Sequence, residues 1–188
     1  MATTSKLTVD EFLALPETKP GSEYIDGEIT QKPMPNIAHM IIQQLLGLVV
    51  GLFVQRNGLG ISGPEGRCVF GPPGGERPLL PDFLFVAREH LAGLDLRGPI
   101  RRAPDLAVEI LSPDDRMTNV MDKLRFYLLH GVRLVWLIDP DNRTVTVMTS
   151  VSEAQILSED DILDGGDVLA DFTCVVRDFL PPADVLHA

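Results

Sequence analysis

Apolar and polar positions follow two different periods along this chain, and the switches between them mark its elements. Thr8-Val9-Asp10-Glu11 has capping-box spacing with Phe12, Leu13 and Leu15 behind it, which predicts a helix that Pro16 limits to about two turns. Tyr24-Ile25-Asp26-Gly27-Glu28-Ile29 predicts a hairpin, two strands joined by an Asp-Gly turn, closed by Pro33 and Pro35. From Asn36 an apolar helix is expected to about Gln55, ending at Asn57-Gly58. Its apolar residues cover nearly every side, which predicts a helix enclosed by the fold or seated at a subunit contact. Gly47 and Gly51, four apart, would let another helix approach closely.

Short apolar runs bounded by turn residues then predict strands at 60–62, 67–70, 82–87, 106–111, 134–138 and 144–148, with a Gly-Pro loop at 71–75. A second helix is expected over about 115–130, its core stripe Met117, Val120, Met121, Leu124 and Leu128, its C-cap Gly131. The tail should add one or two edge strands and a short helix around 176–180. The order helix, hairpin, helix, strands, helix, strands predicts a mixed α/β (α+β) domain.

Composition narrows this picture. A length of 188 residues predicts one domain, 1–188, able to bury a core without disulfides or metal staples. Two distant cysteines, Cys68 and Cys174, make no disulfide framework, and Cys68 reads as a small core residue. The first fifteen residues lack the continuous apolar stretch that a secretory leader is expected to have. The longest apolar run, 41–54, is 14 residues with Gln43 and Gln44 inside it, short of the roughly 20 that a bilayer needs. The expectation is a cytoplasmic protein without a membrane span. The formal charge of −11 argues against wholesale wrapping of nucleic acid. That acidity concentrates in residues 151–188, while 88–133 is nearly balanced, so an anionic ligand is expected to meet the middle of the chain.

No dinucleotide fingerprint, phosphate-binding loop, zinc spacing or nucleophile elbow is present in the sequence. Two carboxylates stand out instead. Asp82 follows Pro81 at the head of Phe83-Leu84-Phe85-Val86, and Glu109 lies near the end of Leu106-Ala107-Val108-Glu109-Ile110-Leu111. An anion inside an apolar strand is costly unless paired or bound to a cation. Two of them on neighbouring strands would make a hard oxygen site for Mg²⁺ or Mn²⁺, the arrangement that hydrolyses phosphodiesters.

Pro81-Asp82, then Glu109-x-Leu111, looks like the PD-(D/E)XK nuclease signature without its final Lys. With Tyr24–Glu28, the block from Pro104 to Pro113, Lys123, Tyr127 and the run from Gly131 to Pro140, the chain resembles the Uma-two family over about residues 7–181. That family, once a domain of unknown function, holds restriction-endonuclease-like proteins. The resemblance implies a mixed sheet flanked by helices, with Asp82, Glu109 and the Ile110 carbonyl as metal ligands. Leu111 stands where the superfamily has Lys, which implies a lysine that has migrated to the following helix and points to Lys123. Arg116, Lys123 and Tyr127 fall within about 40° on a helical wheel, compatible with that reach.

An early Glu should join the site: Glu28 is the first choice and Glu23 the competing one. His39 reads as a helix-end or core residue with phosphate contact as the alternative, Asp105 as a strand-start residue binding backbone, and Trp136 and Tyr127 as core. The expected activity is Mg²⁺-dependent endonucleolytic hydrolysis of nucleic acid, DNA above RNA, by a homodimer gathering Arg97, Arg101, Arg102 and Arg116 around one cleft. The alternatives are a catalytically inactive binding or assembly module, favoured by the acidic charge, and a hydrolase of another phosphate ester.

Overall fold

The computed structural model describes residues 6–182. Helix α1 (Val9–Leu13) begins with the reciprocal cap: the Thr8 hydroxyl accepts from the Glu11 N–H, and the Glu11 carboxylate accepts from the Thr8 N–H at 2.7 Å. Strands β1 (Ser22–Ile25) and β2 (Glu28–Gln31) pair antiparallel around Asp26 and Gly27, both at positive φ. Helix α2 (Ile37–Asn57) is capped by Asn36, relaxes into one π turn at Gly47–Gly51, and stops at Gly58 in the left-handed region.

Beyond it run β3 (Gly60–Pro64), β4 (Cys68–Phe70), β5 (Arg77–Leu79), β6 (Phe83–Ala87) and β7 (Leu106–Ile110). Helix α3 (Met117–Leu129) leads to β8 (Leu134–Asp139), β9 (Thr144–Ser150), β10 (Glu153–Ser158), β11 (Ile162–Gly165) and β12 (Leu169–Val175). The main sheet has the order β10-β9-β8-β7-β6-β3. Every neighbour in it is antiparallel except β7 and β8, whose parallel pairing needs the crossover that α3 supplies.

Several expectations are corrected. The run 67–70 leaves the main sheet and pairs with β5, a strand hidden in the sequence because Pro78 interrupts its three residues. The tail contributes three strands instead of one or two: β10 edges the main sheet, and β11 and β12 form a separate hairpin. A 3₁₀ turn at Val176–Phe179 stands where the last helix was expected. The neighbour at Gly51 is strand β3 instead of a helix, since a Cβ there would lie 3.7 Å from Ser62 Oγ, while a Cβ on Gly47 would meet nothing within 4 Å.

Alternation along β6 and β7 divides the core between two faces. Phe83, Phe85, Leu106, Val108 and Ile110 point toward α2 and the β11–β12 hairpin. Leu84, Val86 and Ala107 point toward α3 and the β4–β5 hairpin. Only one side of α2 is enclosed: Ile42, Leu46, Val50 and Val54 are buried, while Ile37, Met40, Leu48 and Leu52 are exposed. Its length and apolarity would suffice to cross a bilayer; in this fold one side of it packs on the sheet.

The buried face of α3 is also rotated from the expected stripe. Leu124, Phe126 and Tyr127 are buried, whereas Met117 and Met121 are 50 % and 43 % exposed. The sheet beneath presents apolar Ala107, Val135 and Leu137 with Glu109 among them, so α3 turns a face carrying both Leu124 and polar partners for that carboxylate. Leu124→Ala should therefore cost about 2–5 kcal/mol in urea unfolding, as a buried leucine does. Met121→Ala should cost less than about 1 kcal/mol; equal costs would contradict this orientation of α3.

Candidate active site

Antiparallel register brings the two strand carboxylates to one end of the sheet. Phe83 pairs with Val108 and Leu84 with Ala107, so Asp82 and Glu109 are the next facing positions beyond that ladder. Alternation turns both toward the α3 face, because Asp82 shares the parity of Leu84 and Glu109 that of Ala107. Both are buried, 2 % and 8 % exposed.

Each carboxylate is held through both oxygens. Asp82 Oδ2 accepts from the Ile110 N–H at 2.8 Å. Its Oδ1 pairs with the Lys32 ammonium and lies 3.3 Å from His39 Nε2. Glu109 Oε1 accepts from the Tyr127 hydroxyl at 2.6 Å, and its Oε2 from Lys123 Nζ at 2.9 Å. Lys123 also reaches Glu23 Oε1 at 2.7 Å, and that oxygen accepts from the Leu80 N–H at the same distance. One helical turn separates Lys123 from Tyr127, which puts both over the same carboxylate.

The structure thus brings together Asp82, Glu109, Lys123, Tyr127, Glu23 and His39. Glu28 sits on the fully exposed strand β2, where it lines the cleft wall without touching Lys123 or Glu109. Of the two early glutamates, Glu23 is the one inside: β1 is the buried strand of the hairpin, packed beside β5. Asp105 lies at the opposite end of β7, where it accepts from the Ala87 N–H at 2.8 Å and pairs with His90. Trp136 is fully buried core. Burial pushes the Cys68 thiol up to about 12, which suits a core residue and not a nucleophile. Lys32 escapes the sequence reading altogether, for a single basic residue between a hairpin and a proline carries no pattern.

Electrostatics separates the two acids. Burial alone would raise Asp82, but Lys32, with His39 and Lys123, holds its carboxyl well below the usual carboxylate range. For Glu109 burial prevails over Lys123, and with the Asp82 charge nearby its carboxyl is pushed up to about 7. Lys123 is driven down by burial and more strongly up by Glu109, Glu23 and Asp82, so it stays an ammonium. Burial, with Glu109, raises the Tyr127 phenol, which therefore remains a donor.

Among the described residues no three His, Cys, Asp or Glu side chains converge as a metal cage. The donor set still fits a hard divalent cation: two carboxylates from adjacent strands, a main-chain carbonyl next to one of them, and an ammonium already seated on Asp82 where a cation belongs. The site opens on a cleft of about 1160 Å³. Nine carboxylates and six Lys or Arg line it. Within this one chain Arg116 lines the cleft with Arg77 and Arg125, while Arg101 pairs with Asp10 and Arg102 with the His90 carbonyl.

The family model described as "Putative restriction endonuclease", Uma2, matches residues 9–177. A solved structure of a "putative nuclease belonging to DUF820" from Anabaena variabilis ATCC 29413 is similar, with a TM-score of 0.80 and 34 % identity over 92 % of this chain and 97 % of that one. No curated protein matches.

The raised Glu109 sets a pH dependence. Its folded value lies above the unfolded one, so its contribution to stability is greatest below about pH 4.5 and declines as pH rises toward about 7. Across that window wild type should lose stability relative to Glu109→Gln, by at most about 1.4 kcal/mol per pH unit. Urea unfolding at a series of pH values checks this, and parallel curves for the two chains would refute it.

Proposed function

The chain belongs to the Uma2 family and has the restriction-endonuclease-like fold expected from its sequence, and from that premise we propose that it is a divalent-metal-dependent endonuclease cleaving DNA. The observation that carries this reading is the lysine of α3 lying on a strand carboxylate, Lys123 Nζ at 2.9 Å from Glu109 Oε2, with Asp82 facing it across the ladder. Asp82, Glu109 and the Ile110 carbonyl would hold the cation. Bound there, a divalent ion supplies Lewis acidity to the phosphate and to a water molecule.

The chain's own groups do the rest. The Ile110 N–H and Tyr127 hydroxyl fix the two carboxylates, so that little reorganisation accompanies reaction. Lys123, kept charged between Glu109 and Glu23, can donate to the attacking oxygen or to the phosphate as negative charge grows there. Glu23 takes the supporting role expected of an early glutamate, by orienting Lys123. Arg116 and Arg125 on the cleft wall are groups available to substrate phosphates, whereas Arg77 is paired with Asp26.

The remaining proposals follow from the same reading: residues 1–188 act as one domain in the cytoplasm, as a homodimer joined through the exposed apolar side of α2. Sedimentation should show a dimer that Leu52→Glu dissociates; a monomeric wild type would remove that part of the proposal. The acidic balance of the cleft lining favours a second reading, in which the fold serves as a binding or assembly module.

Cleavage of plasmid and oligonucleotide DNA with Mg²⁺ or Mn²⁺ decides between them. Asp82→Ala and Glu109→Ala should abolish metal-dependent cleavage, and Lys123→Ala should lower kcat by about 10²–10³, each with the fold retained by circular dichroism. Cleavage undiminished in the Asp82/Glu109 double variant, or none by wild type with either metal, would defeat the nuclease assignment.

A further inference from the structure

Lys32 is the cation that the proposed mechanism does not use. It follows β2 directly, and its side chain crosses to the start of β6, where Nζ contacts Asp82 Oδ1 and donates to the Leu80 carbonyl at 2.9 Å. Its neighbour on the same oxygen is His39 Nε2 at 3.3 Å. The other oxygen, Oδ2, is engaged by the Ile110 N–H. Oδ2 is thus held by the main chain and Oδ1 by an ammonium, which a cation arriving at Oδ1 would have to displace.

The two lysines of the cluster are not held alike. Lys123 lies between two carboxylates, one of them anchored by the Leu80 N–H, and rides on a helix packed into the core. Lys32 has one carboxylate and one carbonyl, and extends from a strand whose residues are all exposed along the cleft wall. Of the two ammonium groups, Lys32 is the one that can leave without dismantling a packed element. Two cations at one carboxylate oxygen repel strongly in such a buried setting, so they compete for it.

We propose that Lys32 is a built-in stand-in for the divalent cation: it neutralises Asp82 in the metal-free chain, and metal binding expels its ammonium into the cleft, beside the substrate phosphates. The inference rests on the nuclease reading above. It makes the empty site stable, because a buried Asp82 without a counter-charge would be strongly destabilising. It also sets metal affinity, since the ion must displace an internal rival.

Mn²⁺ binding to the full chain, measured by calorimetry, and acylation of each lysine, measured by peptide mass spectrometry, test it together. Lys32→Met and Lys32→Gln should bind Mn²⁺ about ten-fold more tightly than wild type; the Gln variant retains a donor for the Leu80 carbonyl should the Met variant fail to fold. In wild type, Lys32 should be protected from acylation without metal and become several-fold more reactive with saturating Mg²⁺. Wild type that binds Mn²⁺ as tightly as both variants, or a Lys32 equally reactive in both states, overturns the inference alone, because the metal site then stands. Absence of Mn²⁺ binding in wild type and in folded Lys32→Gln overturns both the inference and the reading beneath it.

Discussion

Three carboxyl groups and two ammonium groups share the buried end of one sheet, and the fold around them is arranged to keep that charge balanced. Glu23, Asp82 and Glu109 face Lys32 and Lys123, which leaves one negative charge in excess when all are ionised. In a low-dielectric setting such an excess is expensive, and it is relieved in two ways. Glu109 is pushed toward its protonated form, and each carboxylate gathers neutral donors: the Ile110 N–H, the Leu80 N–H and the Tyr127 hydroxyl. With all five groups ionised, that surplus negative charge at the mouth of a cleft is what the proposed divalent ion would neutralise.

This balance dictates features that packing alone would not. Helix α3 turns Tyr127 and Lys123 toward the sheet while leaving two methionines of its hydrophobic stripe in solvent. The hairpin of β1 and β2 is drawn in on one side only. Its β1 strand delivers Glu23 to Lys123, and the residue after β2 delivers Lys32 to Asp82. The N-terminal hairpin, the start of β6, the end of β7 and the middle of α3 are thereby linked by charge as well as by hydrocarbon.

The two Pro-Asp pairs of the chain show how far local sequence reaches. Pro81-Asp82 and Pro104-Asp105 both open apolar strands and look equivalent along the sequence. Since β6 and β7 run antiparallel, the start of β6 lies beside the end of β7, so Asp82 meets Glu109. By the same geometry Asp105, at the start of β7, lies beside the end of β6 and binds the Ala87 N–H. Identical local patterns acquire different chemistry from one pairing register.

What the sequence determined by itself is what short-range physics controls. The capping box at Thr8, the Asp-Gly turn, the long apolar helix with its glycine stop and the strands of the sheet centre all follow from periodicity and turn chemistry. The cost of burying an anion marked Asp82 and Glu109 as unusual before any partner was visible. Tertiary structure decided the partners: that Glu23 and not Glu28 lies on the buried strand of its hairpin, that Lys123 reaches Glu109, and that Lys32 and His39 close on Asp82. Those contacts join residues 14 to 100 positions apart, and no periodicity encodes them. They follow from which faces of separately predictable elements the core and its buried charge bring into contact.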